Sequence, residues 1–141
     1  MKELLDLLEK DYRQTPEQMA IMLNRPAEEI SALIQKFQDE QVIVKYQTII
    51  DWEKAGLDRV TAVIEVKITP QREVGFDAIA ERIYRYPEVR SVYLMSGSYD
   101  LSVAVEGTNL REVADFVSTK LSTIDGVVST TTNFMLKKYK Y

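Results

Sequence analysis

The sequence predicts an α+β chain in two parts, a helical N-terminal lobe followed by a βαββαβ lobe. Two observations predict it. Apolar residues recur at helical spacing as far as about residue 40, with helix caps between the runs. From Val60 the period changes to two: Val60, Ala62, Ile64, Val66 and Ile68 alternate with Thr61, Val63, Glu65 and Lys67.

Residues 2–9 read as a short helix with Leu4, Leu5 and Leu8 on one side. A second helix opens at Thr15-Pro16-Glu17-Gln18, where Thr15 caps, Pro16 takes the first helical position and Gln18 completes a capping box. It ends near Leu23-Asn24-Arg25, with Asn24 suited to the left-handed conformation of a tight turn. A third helix runs from about Pro26 to Glu40, with Ile30, Leu33, Ile34 and Phe37 forming one apolar stripe. Val42-Ile43-Val44 and Thr48-Ile49-Ile50 are β-branched runs and read as strand. Three helices, the last two joined by a short turn, and then a β segment are the order of a winged helix-turn-helix over residues 1–50.

Residues 51–59 form a linker that contains Gly56. The first strand, Val60 to Ile68, ends at Thr69-Pro70-Gln71. Residues 73–85 carry Phe76, Ile79, Ala80 and Ile83 at helical spacing, Pro87 closes that helix, and Val89 to Met95 is a strand. Gly97-Ser98 reads as a type II′ hairpin turn. The third strand sets Tyr99, Leu101, Val103 and Val105 on one face. Asn109, with Glu112 three residues on, caps a helix bearing Leu110, Val113, Val117 and Leu121. Asp125-Gly126 is a turn, the last strand runs from about Val127 to Leu136, and the lysines of Lys137-Lys138-Tyr139-Lys140-Tyr141 read as a solvated end. The order β-α-β-β-α-β over residues 60–141 is a ferredoxin-like arrangement. Its helices should cover one sheet face. On the other face Val63, Ala104 and Met135 are interspersed with Thr61, Ser102 and Asn133, and a half-apolar face invites a second sheet, hence a homodimer.

Composition narrows the chemistry. The 141 residues include no cysteine and no histidine, which removes disulfides, thiolate zinc sites and histidine acid–base catalysis. No Asp/Glu cluster stands at metal-ligand spacing, no cofactor motif is present, and a non-enzymatic role is expected. Apolar runs are a few residues long, against the roughly 20 of a membrane helix, and the acidic N-terminal stretch is unlike a signal peptide, so a cytoplasmic location is expected. Arg72, in the loop after the first strand, lacks the partner an anion-binding loop would need. The sheet also lacks the aromatic pair of an RNA-recognition module.

The chain resembles the Lrp/AsnC, or feast/famine, family of transcription regulators along nearly its whole length. The N-terminal resemblance lies in Gln18-Met19-Ala20 and Gln41-Val42-Ile43-Val44-Lys45-Tyr46-Gln47-Thr48. The C-terminal one lies in Ala62-Val63-Ile64-Glu65-Val66, Pro87-Glu88-Val89, Ser96-Gly97-Ser98-Tyr99-Asp100-Leu101, Asp125-Gly126-Val127 and Thr130-Thr131-Thr132. Gly-x-Tyr-Asp is the most recognisable of these. The resemblance implies a RAM-type C-terminal domain that dimerises sheet to sheet and assembles further, into tetramers or octamers. It also implies an amino acid or related metabolite held between dimers near Gly97, Ser98, Tyr99 and Asp100. There the Asp100 carboxylate is suited to an ammonium group, and backbone amides near Gly97 to a carboxylate. The other implied partner is double-stranded DNA, approached by the third helix and its flanks: Arg25, Glu28, Ser31, Gln35, Lys36 and Lys45.

In one respect the chain departs from that family. Members that bind DNA well carry arginines along the third helix, whereas the face opposite the apolar stripe here shows Glu28, Ser31, Ala32, Gln35 and Asp39. Residues 1–50 hold six basic and nine acidic side chains, a net charge of about −3 in a chain of −4. Phosphate neutralisation supplies most non-specific affinity for DNA, and this surface supplies little of it. A metabolite-sensing assembly with a weakened DNA-binding lobe is therefore the competing expectation.

Overall fold

The computed structural model describes residues 1–69 and 75–141, which divide into two compact units, Met1–Ile49 and Ile50–Tyr141. Arg72 and the start of the helix expected from residue 73 lie outside the described residues. Among those described, no helix is long and apolar enough to cross a membrane.

The first unit holds helices α1 (Lys2–Lys10), α2 (Pro16–Leu23) and α3 (Ala27–Asp39). The capping box at α2 forms in both directions: Gln18 N–H donates to Thr15 Oγ1 at 3.2 Å, and Thr15 N–H donates to Gln18 Oε1 at 2.9 Å. Asn24 ends α2 in the left-handed conformation, φ 52° and ψ 51°, so the chain reverses before α3. Leu4, Met19 and Ile30, one from each helix, are fully buried, with Leu33, Ile34 and Phe37 packed around them. Burying each such side chain stabilises the lobe by about 1.5–3 kcal/mol.

The strand expected over residues 42–44 and 48–50 does not form. A strand needs a ladder partner, and among the described residues this segment finds none. Its first amides instead close α3: Gln41 takes φ 57°, and the N–H groups of Val42 and Ile43 donate to Phe37 O at 2.8 and 3.0 Å. This left-handed termination satisfies an end carbonyl of the helix. Val42, Val44, Tyr46 and Ile49 stay exposed.

The second unit runs β1 (Val60–Ile68), α4 (Asp77–Tyr84), β2 (Val89–Leu94), β3 (Leu101–Gly107), α5 (Leu110–Phe116), a π-helical turn (Val117–Leu121) and β4 (Val127–Phe134). The four strands make one antiparallel sheet in the order β2-β3-β1-β4. Ala62, Ile64 and Val66 of β1 and Leu101, Val103 and Val105 of β3 are buried beneath Ile79, Ile83, Val113, Phe116 and Leu121 of the helical layer. The opposite face carries Val63, paired with Ala104 on one side and Asn133 on the other, and Tyr93, paired with Ser102.

The β2–β3 connection differs from the expected two-residue turn. Leu94 pairs with Leu101, and Met95 N–H donates to Asp100 O at 2.8 Å, leaving residues 96–99 as the loop. Gly97 does not have positive φ, which a type II′ turn would require at that position. Tyr99 belongs to this loop rather than to β3.

Candidate functional site

Two surfaces carry the residues singled out from the sequence, one in each unit. On α3 the stripe Ile30, Leu33, Ile34 and Phe37 turns inward, and Glu28, Ser31, Ala32, Gln35 and Asp39 are all exposed on the remaining face. The face is internally engaged. Gln35 Nε2 donates to Asp39 Oδ1 at 2.9 Å, Arg25 pairs with Glu29 at 2.7 Å, and Lys36 lies 4.0 Å from Glu40. Both cations near the helix are thus already facing acids one turn along. Exposed pairs of this kind are worth at most about 1 kcal/mol. Lys45 lies in the irregular segment after α3. It lines a groove of about 510 Å³ with Leu5, Leu8, Tyr12, Val44 and Tyr46.

The second surface is the loop 97–100 beside the end of β1. Gly97 and Ser98 are exposed, and Tyr99 and Asp100 are half-buried. Three hydrogen bonds fix Asp100. Its N–H donates to Val66 O at 3.0 Å, its carbonyl accepts from Met95, and its carboxylate Oδ2 accepts from Ile68 N–H at 2.9 Å. That last bond falls where the β1–β4 register shifts between Lys67 and Ile68, so the carboxylate serves an amide beside a break in the ladder. Oδ1 takes no hydrogen bond among the described residues.

Gly97 is informative for a different reason. Its φ is not positive, and a Cβ built on it would meet nothing within 4 Å. Among the described residues, neither conformation nor packing requires glycine there.

Sequence reasoning missed three features. Glu106, on the open sheet face, sits between Arg90 at 3.0 Å and Arg59 at 3.5 Å, while Arg59 also stacks 4.4 Å from the Trp52 ring centre. Tyr93 is 61% exposed on that same face. A cleft of about 510 Å³ in the helical layer is lined by Arg82, Arg85, Tyr86 and Lys120. Only the period-two alternation that put Tyr93 opposite Val92 could have signalled any of these; the others depend on pairings between distant strands and helices. Among the described residues no group of three or more acidic, His or Cys side chains is placed to hold a metal.

A three-helix lobe with a tight α2–α3 turn is thus followed by a ferredoxin-like lobe with a half-apolar open sheet face. Comparison with known proteins identifies the class of protein. The Lrp/AsnC ligand binding domain profile matches residues 61–141, more than half of the chain. The chain belongs to the Lrp/AsnC family. It is 54% identical over 140 residues, covering 99% of this chain and 84% of the other, to the uncharacterized HTH-type transcriptional regulator YugG of Bacillus subtilis. Its fold is similar to that of PH0061, with TM-score 0.84 at 21% identity, covering 99% and 93% of the two chains. It is also similar to the transcriptional regulator NMB0573 of Neisseria meningitidis, solved as an L-Met complex. There the TM-score is 0.74 at 22% identity, with 98% and 88% coverage.

Proposed function

We propose that this chain is a sequence-specific, DNA-binding transcription regulator of the Lrp/AsnC type, with α2 and α3 as its helix-turn-helix and an amino acid or related metabolite as its effector. The observation that carries the reading is the α2–Asn24–α3 unit: a capped helix, a left-handed turn, and a second helix with one buried and one free polar face. This is the geometry that lays a helix in a major groove. Relatives named HTH-type transcriptional regulators support it. The effector reading rests on the open space at Gly97 and the free Oδ1 of Asp100, and the L-Met complex of the Neisseria meningitidis regulator supports an amino acid as the chemical class.

The open sheet face, with Val63, Ala104, Tyr93 and Met135, is the surface on which two copies dimerise, and further assembly brings the 97–100 loops of neighbouring dimers together. Val63→Lys would place a charge at the centre of that face and should yield a monomer in sedimentation; a dimer of unchanged affinity would remove this face from the interface.

The test of function is to sequence the duplex DNA retained by the purified protein from a genomic fragment pool, with and without amino acids. Enrichment of palindromic sites supports the regulator. Absence of enrichment in every condition selects the second reading, a metabolite-sensing assembly whose helix-turn-helix no longer grips DNA. The acids Glu28 and Asp39, exposed on the polar face of α3, favour that second reading.

A further inference from the structure

The acidic α3 lobe raises the question of where this chain would find positive charge for a phosphate backbone. Residues 1–49 hold six basic and nine acidic side chains. Of the cations there, Lys2, Arg13, Arg25 and Lys36 all face carboxylates. The densest positive run in the chain lies at the other end, three lysines in the four residues 137–140. Among the described residues none of these three lysines makes an ion pair. Two of them lie over aromatic rings instead: Lys137 Nζ is 5.1 Å from the Tyr139 ring centre, and Lys138 Nζ is 5.4 Å from that of Tyr141. A ring attracts the ammonium through its quadrupole but carries no net charge to neutralise it. The segment is strongly exposed, Leu136 at 97% and Tyr139 at 88%, and it follows β4 outside any helix or strand.

We propose that residues 136–141 form a second DNA contact, in which Lys137, Lys138 and Lys140 neutralise backbone phosphates that α3 cannot. The inference rests on the regulator reading above. The ligand is a polyanion rather than a small one because the charges are strung along an extended chain. From Lys137 to Lys140 that chain spans up to about 10 Å, and the same length of duplex carries roughly six phosphate charges. Lysine contributes point charges there, and the Tyr139 hydroxyl adds a donor of the kind that commonly meets phosphate oxygens. Lys137, Lys138 and Tyr139 line a cleft of about 610 Å³ together with Asp51, Glu53 and Arg59. Desolvation first, and then Asp51 and Glu53, hold the Tyr141 hydroxyl above its ordinary value.

The experiment uses the full chain and duplex DNA of random sequence, since the phosphate contribution is independent of sequence. Anisotropy is measured over a salt series for the wild type, for Lys137→Gln with Lys138→Gln and Lys140→Gln, and for the corresponding triple arginine variant. A charge-matched control carries Arg82→Gln, Arg85→Gln and Lys120→Gln on the helical layer. The glutamine tail should lower the slope of log affinity against log salt by about 2.7 per bound protomer, with the arginine tail and the control both near wild type. Sedimentation should show all four with the same assembly. A wild-type slope kept by the glutamine tail overturns the proposal and leaves the regulator reading standing. An equal fall in the control makes the effect one of net charge and also overturns it. If the wild type binds no DNA at any salt, both the proposal and the regulator reading fall.

Discussion

The carboxylate of Asp100 accepts a hydrogen bond from the backbone N–H of Ile68, 32 residues earlier in the chain, at 2.9 Å. The bond ties the loop before β3 to the end of β1, where the β1–β4 ladder slips by a residue. Asp100 therefore has a structural task beside any role in binding an effector, and two substitutions separate them. Asp100→Ala leaves the Ile68 amide without its partner and should cost about 2 kcal/mol of stability, read from the denaturant midpoint. Asp100→Asn keeps an acceptor oxygen of the same shape but removes the charge. It should hold most of that stability and still weaken amino-acid binding, measured by calorimetry. Unchanged affinity in the asparagine variant would remove Asp100 from the ammonium site.

Gly97 makes the complementary case. Among the described residues nothing within 4 Å meets an added Cβ, and φ is not positive, so Gly97→Ala should leave the stability of the unliganded protein, read from the denaturant midpoint, within about 0.5 kcal/mol of wild type. Binding of amino acids, or association of dimers, should fall at least about tenfold, a change of about 1.4 kcal/mol. A variant equal to wild type in both would mean that no ligand or second copy approaches this backbone.

Much of the helical architecture was legible because its determinants are local. Thr15 and Gln18 are three residues apart, Asn24 sits at its own turn, and the apolar stripe of α3 lies within eight residues. The alternation over Val60–Ile68 likewise announced β1 and its buried face. What the sequence hid was non-local. Val42–Val44 has every intrinsic preference of a strand, but preference supplies no ladder partner, and the amides were taken by Phe37 O. Gly97-Ser98 looked like a two-residue turn because glycine followed a strand, whereas the Leu94–Leu101 pairing set a longer loop. At the candidate site, the sequence marked Asp100 but not the amide it serves, and marked the α3 polar face but not the pairs Gln35–Asp39 and Arg25–Glu29 that occupy it.

Glu112 ties pH to the corner between β3 and α5. Its carboxylate accepts from the Thr108 hydroxyl and backbone N–H, while its own N–H donates to Asn109 Oδ1 at 2.8 Å. The expected reciprocal cap is thus shifted by one residue, onto Thr108. These bonds, the hydroxyl first, hold the Glu112 carboxyl below its ordinary value of 4.5. A carboxylate with a depressed folded value stabilises the protein above its unfolded value, and that contribution is lost as pH falls through the folded one. Thermal midpoints should therefore decline below about pH 4.5, and Glu112→Gln, which keeps the acceptor without the charge, should flatten that acid limb. An acid limb identical to wild type would place the titrating group elsewhere.

The α3 surface allows a prediction in which two substitutions on one helix have different signatures. Burial of Ile30, Leu33, Ile34 and Phe37 leaves Glu28, Ser31, Ala32, Gln35 and Asp39 exposed on the face opposite the stripe. Glu28 is exposed on it and repels phosphates whatever the base sequence. Glu28→Gln should accordingly tighten binding to specific and random duplex alike, leaving their ratio unchanged. Gln35 can pair with the two hydrogen-bonding groups of an adenine edge, but only after releasing Asp39, which now holds its amide at 2.9 Å. Gln35→Ala should cost about 1–3 kcal/mol of discrimination between the selected site and its base-substituted variants, with little change on random DNA. Anisotropy titrations of both variants against a selected site and a random duplex at matched salt measure the two ratios. Loss of discrimination in the Glu28 variant, with none in the Gln35 variant, would mean that a different face of the helix enters the groove. That result would contradict the burial of the Ile30–Phe37 stripe on which the assignment rests.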